Sequence, residues 1–316
     1  MRRGAPLVAC ALSVATIAAC GNGTTPATNS QATRSASPYR TDASGQVSCS
    51  ARSLPWHYAG VVRFDTALAG VSAQLRAVAV RRSYDQWLAA PQLTLTADGR
   101  QWHTTLKPAP GSFRQHYRPL EIDGPAQVSG YLCLVRFADK RQPPAVLTTY
   151  SGGAHCCTTV RLYDLESKHV SQLELGNMDA RIALAGGRAV METRDDAFSY
   201  AFTDFADSGA PIRLYEPSGA SGFRNVTREF PAELHADAKW LWGLAAKRAS
   251  KLGFYAAWAA DEEMLGNDAY VWRTMHRLEQ AGKLNVPANL QEPGWPAGRG
   301  YITKLRHFLA AHRYRT

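Results

Sequence analysis

From about Val61 to Tyr215 the apolar residues come in short runs of strand character: Leu75 to Val80, Leu93 to Thr96, Gln127 to Phe137, Ala145 to Tyr150, Thr159 to Tyr163 and Ala189 to Thr193. Turn signals separate them at Asp98-Gly99, Asp123-Gly124, Pro143-Pro144 and Gly186-Gly187. After Pro231 the spacing changes to threes and fours. Val271, Met275 and Leu278 fall on one helical face, as do Ile302, Leu305 and Leu309. Pro287, Pro293 and Pro296 punctuate the path between those two helices. The pattern predicts an α+β protein, a mainly antiparallel β body followed by a C-terminal helical region. Antiparallel pairing is expected because strands and helices do not alternate regularly.

The N-terminus reads differently. A basic start at Arg2 and Arg3 precedes an apolar stretch from Ala5 to Ala19, well short of the ~20 residues that cross a bilayer. It closes on Ile17-Ala18-Ala19-Cys20-Gly21, which resembles the lipobox at which bacterial lipoprotein precursors are cleaved and acylated. That resemblance implies removal of residues 1–19, lipid on Cys20, and attachment to the extracytoplasmic face of the cell membrane. Residues 21–46 hold Thr, Ser, Asn, Ala, Gly, Gln and Pro with almost no large apolar side chains, so they cannot build a core. As a flexible tether they span roughly 25–30 Å. The expected organisation is a signal peptide (1–19), a lipidated Cys and tether (20–46), a β-rich domain (47–230) and a helical region (231–316).

Cysteine use agrees with export. Of six Cys, Cys10 leaves with the signal and Cys20 carries lipid, so Cys49, Cys133, Cys156 and Cys157 remain. An even remainder in an oxidising compartment suggests two disulfides. Adjacent trans residues have Cα atoms about 3.8 Å apart, below the usual window of about 4.4–6.8 Å, which disfavours a Cys156–Cys157 bond. The favoured connectivity gives Cys49 and Cys133 one partner each from that pair. The formal charge of +10 becomes +8 once Arg2 and Arg3 are removed, and the bases are dispersed. Such a surplus suits anionic envelope polymers or headgroups. It lacks the clustered basic stripe with interleaved aromatics that nucleic-acid binding requires.

The central segment Pro144-Ala-Val-Leu-Thr-Thr-Tyr-Ser-Gly-Gly-Ala-His-Cys-Cys-Thr-Thr-Val-Arg-Leu-Tyr163 resembles a strand, glycine turn and strand found in uncharacterised bacterial envelope proteins, some with blades similar to integrin-like propeller repeats. A second stretch, from Asp195 through Phe202, Pro211 to Tyr215 and Val226 to Pro231, resembles the segment C-terminal to that turn in the same proteins. The resemblance implies propeller-like or sandwich-like repeats in the β body. Such repeats usually carry an Asp-rich calcium loop before the strand. Here Phe137-Ala-Asp-Lys-Arg-Gln-Pro-Pro144 has one acid and two bases, which argues against calcium.

Three chemistries suggest themselves around Ser151 to Cys157. A hydrolase would use Ser151 as nucleophile, His155 as base and Asp195 or Asp196 as orienter, yet Thr149 stands where the Gly-x-Ser-x-Gly elbow needs its first glycine. A metal site would join His155 and Cys157 to His57, His103 or His116, and its thiolates would have to escape oxidation. A Cys156–Cys157 bond would be a redox centre. The structural reading, a tight turn at Gly152-Gly153 with cysteines stapling strands, is preferred, with no metal and no cofactor.

Two further clusters stand out. Asp261-Glu262-Glu263 reads as a solvated helix face. Trp240, Trp242, Trp258, Trp272 and Trp295, with Tyr255 and Tyr270, read as core or as an aromatic platform for sugars or peptidoglycan stems. Trp240 and Trp242 are two residues apart and cannot share one helix face, so one of them is a candidate for a ligand groove. The sequence therefore favours a membrane-anchored binding or interaction module for a cell-envelope polymer or protein. The alternative is an envelope enzyme, hydrolytic or thiol-redox, centred on Ser151 to Cys157.

Overall fold

The computed structural model describes residues 39–42, 44–51, 54–55, 57–82, 85–107, 116–118, 120–122, 128–151, 157–218, 222–248, 250–286 and 295–314. Ile17, Cys20, residues 21–38 of the tether, Asp123-Gly124, His155, Cys156, Pro287 and Pro293 lie outside them. Strand β1 (Tyr39–Thr41) pairs with β2 (Val47–Ser50), so strand structure starts within the stretch read from composition as tether. Gln46 adds a side-chain clamp, donating to the Gly187 carbonyl at 2.7 Å and accepting from the Ala189 amide at 3.2 Å.

The next four strands form a meander: β3 (Gly60–Leu68), β4 (Val71–Arg82), β5 (Asp85–Ala97) and β6 (Arg100–Thr105). In β3, Val62, Phe64, Thr66 and Leu68 point inward while their neighbours face out, the period-two pattern of a half-buried strand. The turns at Ala69-Gly70 and Asp98-Gly99 hold both residues at positive φ, 50° and 80° in the first and 50° and 72° in the second. That is the mirror-image turn whose twist suits a two-residue hairpin.

Short strands β7 (His116–Arg118), β8 (Leu120–Ile122), β9 (Val128–Gly130) and β10 (Cys133–Val135) come next. Longer ones succeed them: β11 (Ala145–Tyr150), β12 (Thr158–Asp164), β13 (His169–Gly176), β14 (Arg181–Ala185), β15 (Arg188–Arg194), β16 (Ile212–Ser218) and β17 (Gly222–Asn225). One sheet runs β1-β2-β10-β11-β12-β13, with β7 also on β11; another runs β17-β16-β15-β14-β8-β9. Pairing is antiparallel throughout the described strands except between β14 and β8.

The cores order these layers. Ala145, Leu147 and Tyr163 pack toward the meander, whereas Val146, Val160 and Leu162 pack toward Ile182, Ala189 and Met191 of the next sheet. With both faces covered, β12 is buried along its whole length, which is why it reads as a continuous run rather than an alternation. Val190 and Leu214 meet the helices on the far side of that second sheet.

Four α-helices close the chain: α1 (Pro231–Ala245), opened by proline in its first turn; α2 (Leu252–Met264); α3 (Asp268–Gln280); and α4 (Gly298–Ala311). Val271 and Met275 of α3, and Ile302, Leu305 and Leu309 of α4, are buried as their spacing predicts. Helix α2 is apolar on every side and buried almost entirely. It approaches the Asp207–Gly209 backbone so closely that a Cβ on Gly253 would lie 2.4 Å from the Asp207 carbonyl oxygen. Among the described residues, no helix is long and apolar enough to cross a membrane.

The disulfide pattern differs from the expected one. Cys49 and Cys133 bond to each other, not to Cys156 and Cys157. They stand directly opposite in register on neighbouring strands β2 and β10, with Cα atoms 4.1 Å apart. Strand pairing brought together two cysteines 84 residues apart, which spacing alone does not reveal. Cys157 is itself disulfide-bonded.

Candidate functional site

The Ser151 segment joins β11 to β12. The Ser151 amide donates to the Cys157 carbonyl at 3.0 Å, and the Cys157 amide donates to Ser151 Oγ at 2.7 Å. The hydroxyl is thus used as an acceptor across the neck of the loop. Asp195, the expected orienter, serves elsewhere. Its Oδ1 accepts from the Ala197 amide (3.0 Å), capping the turn Asp196–Phe198, while Oδ2 accepts from Arg213 (2.6 Å) and from the Tyr314 hydroxyl (2.5 Å). Burial pushes the Asp195 carboxyl up, but Arg213 and these hydrogen bonds outweigh it and hold it below the ordinary aspartate value. Asp196 is engaged by Asn177 and Ser199.

The histidines proposed as metal partners are dispersed. His103 Nδ1 pairs with Thr94 Oγ1 and His116 Nδ1 with the Gln86 carbonyl, both at 2.9 Å, while His57 is exposed in a turn. Among the described residues, no three His, Cys, Asp or Glu side chains are grouped to hold a metal.

A different place has the form of a site. An open cleft of about 1070 Å³ lies where β7 and β11, the Asn177–Ala180 connection, β14, β15 and α1 converge. Three arginines line it, each matched with an acid: Arg118 with Asp179 (2.9 Å), Arg181 with Glu192, and Arg194 with Asp237 (2.6 Å). The last pair is two-pronged, since Arg194 also donates to the other Asp237 oxygen at 3.1 Å and to the Ala210 carbonyl at 2.6 Å. The Ile212 amide completes the Asp237 carboxylate at 3.1 Å. Trp240 stands at the cleft wall, 49% exposed, with the Arg194 guanidinium 4.5 Å from its ring centre. Trp242 points elsewhere, against Tyr255 (5.3 Å) and Trp258 (4.8 Å). Two polar atoms of lining residues are buried with no hydrogen-bond partner: Thr148 Oγ1 and Asn177 Oδ1.

Behind Asp237 lies a buried acid. Asp261, read as solvated, is fully buried, and so is Glu263; Glu262 is half-buried and accepts from Asn267 at 2.7 Å. The reason is the helix around them: its all-round apolar surface carries its acids inward. Neither Asp261 oxygen has a hydrogen-bond donor. Burial first, and then the charge of Asp237, push its carboxyl well above the ordinary range and favour its neutral form. A folded-state value above the unfolded one stabilises fully below the unfolded aspartate range near pH 4, and the contribution is lost as pH rises through the folded value. Asp261→Asn, whose amide can donate at any pH, should raise stability by about 1–2 kcal/mol at pH 8 and flatten the loss on the alkaline side, measured by urea unfolding across pH.

The sequence carried a signal for this cleft. Glu233, Asp237 and Trp240 recur at four and three residues, one face of α1 about 100° around the helix from the buried Leu234, Ala238 and Leu241. Glu192 and Arg194, two apart at the end of β15, share a strand face. What joins them is tertiary.

The fold and cleft define an α+β protein with a polar, aromatic-walled groove. No family model matches the chain, and no solved structure matches it. It is similar to a probable thylakoid lumen protein of Synechocystis, 26% identical over 152 residues, 43% of this chain and 44% of that protein. It is also similar to an uncharacterised protein of Sinorhizobium fredii, 25% identical over 150 residues, 42% of this chain and 22% of that one. The matches thus span less than half the length of these curated relatives.

Proposed function

We propose that this protein is an exported lipoprotein, anchored through Cys20 on the extracytoplasmic face of the membrane, that binds a cell-envelope polymer in the cleft walled by Trp240. The observation that carries the reading is the cleft itself, with a half-exposed tryptophan stacked on an ion-paired arginine beside two unsatisfied buried polar atoms. Structural groups of this kind are normally paired or covered, and ligand sites are where they are not. Similarity to a probable lumenal protein and the Cys49–Cys133 bond both support an oxidising, extracytoplasmic compartment.

The full-length protein in detergent micelles should sediment with purified cell-wall sacculi, and Trp240→Ala should weaken this at least tenfold while Trp242→Ala, on another face, does not. Retention equal in wild type and Trp240→Ala would remove the cleft from the function. Labelling with a palmitate analogue should mark the wild type and not Cys20→Ala; label in both would refute the anchor.

A further inference from the structure

We infer that the cleft takes the hydroxyl-rich sugar rings of an uncharged glycan, an inference that rests on the binding role proposed above. The charge balance comes first. Three arginines suggest an anion site, but Asp179, Glu192 and Asp237 each neutralise one, and Glu233 adds a further acid. Among the described lining residues, no surplus positive charge remains to hold a phosphate or carboxylate.

What the cleft offers instead are neutral partners of mixed character. Thr148 Oγ1 both donates and accepts, and it is buried with neither capacity used. Asn177 is held the right way round because its Nδ2 donates to Asp196 at 3.1 Å, which leaves Oδ1 as a committed acceptor without a donor. Both atoms lie just beneath the cleft surface, where a small shift of the lining on binding would let one donor-acceptor group satisfy them, and the hydroxyl is the simplest. The ion pairs extend the same logic: each sets N–H donors beside carboxylate acceptors, a match for neighbouring hydroxyls on a ring. Trp240 supplies the flat apolar surface on which the C–H face of a sugar lies, with Arg194 keeping the indole in place. A volume of about 1070 Å³ exceeds what one ring fills and leaves space for several linked units.

The test titrates the full-length protein with tetra-N-acetylchitotetraose, maltotetraose and a sugar-free stem-type pentapeptide, followed by tryptophan fluorescence and calorimetry. At least one sugar should bind saturably, with an affinity that hardly changes with salt, and the pentapeptide should not. Trp240→Ala and Thr148→Val should each weaken the sugar tenfold or more. Thr148→Val has a second readout. Removing an unsatisfied buried hydroxyl should raise the melting temperature while affinity falls, a combination that a merely structural threonine would not give. If the protein sediments with sacculi through Trp240 yet neither sugar binds, or the pentapeptide binds better, the glycan assignment falls and the binding role stands. If sacculi are not retained at all, both fall.

Discussion

Asp237→Ala is expected to destabilise the protein by about 3–4 kcal/mol, read from the shift in urea midpoint at constant slope. The size reflects what the carboxylate holds. Its two oxygens accept from Arg194 and from the Ile212 amide. Alanine strands both groups at once, and the Ile212 amide is buried. The figure sits toward the lower end for breaking a buried pair because the Arg194 side chain keeps 27% exposure and water can partly replace its partner. Asp237→Asn, which preserves shape and one acceptor, should cost clearly less. A loss below about 1 kcal/mol for alanine would mean that the network under the cleft is solvated in a way the geometry does not suggest.

Removal of the Cys49–Cys133 bond by the double alanine variant should cost about 2–4 kcal/mol. The bond closes a span of 84 residues, so the unfolded chain gains considerable freedom when it is lost. Both sulfurs lie in the apolar layer between two sheets, and alanine fills that space incompletely. Reducing agent should lower the stability of the wild type toward that of the variant and narrow the difference between them. Equal stability with and without the bond would show that the β2–β10 ladder alone sets this part of the fold.

The outline of this fold was legible because its local signals were strong. Asp98-Gly99 and Gly186-Gly187 sit at hairpin turns with positive φ, and the helical stripes of α3 and α4 bury the residues that their spacing marks. The stacking of sheets was not legible. Residues such as Val146 and Leu147 in β11 are both buried, facing different layers, and a run that is apolar on both sides contains no mark of which neighbour it meets. Spacing likewise could not reveal that Cys49 opposes Cys133, since register depends on which strands pair.

The site was harder to read for a related reason. Ser151, His155 and Asp195 drew attention because they are chemically suggestive and near a glycine turn. Ser151 and Asp195 instead serve a loop neck and a helical cap, while His155 lies outside the described residues. Asp261 was misplaced because three adjacent acids suggest solvent, while the nine apolar-rich positions before them fix the helix inside. Arg118, Arg181 and Arg194 are spread over three strands, and only folding sets them around Trp240. The stripe Glu233, Asp237 and Trp240 was the clearest local trace of the cleft.

The most direct test of the cleft as the binding site is hydrogen–deuterium exchange on the full-length protein with and without a soluble digest of sacculi. Exchange is expected to slow in Asn177–Arg181 and in the first turns of α1 through Trp240, with little change around Tyr270. Slowing confined to the Trp242 and Tyr270 face, or none at the cleft, would contradict it.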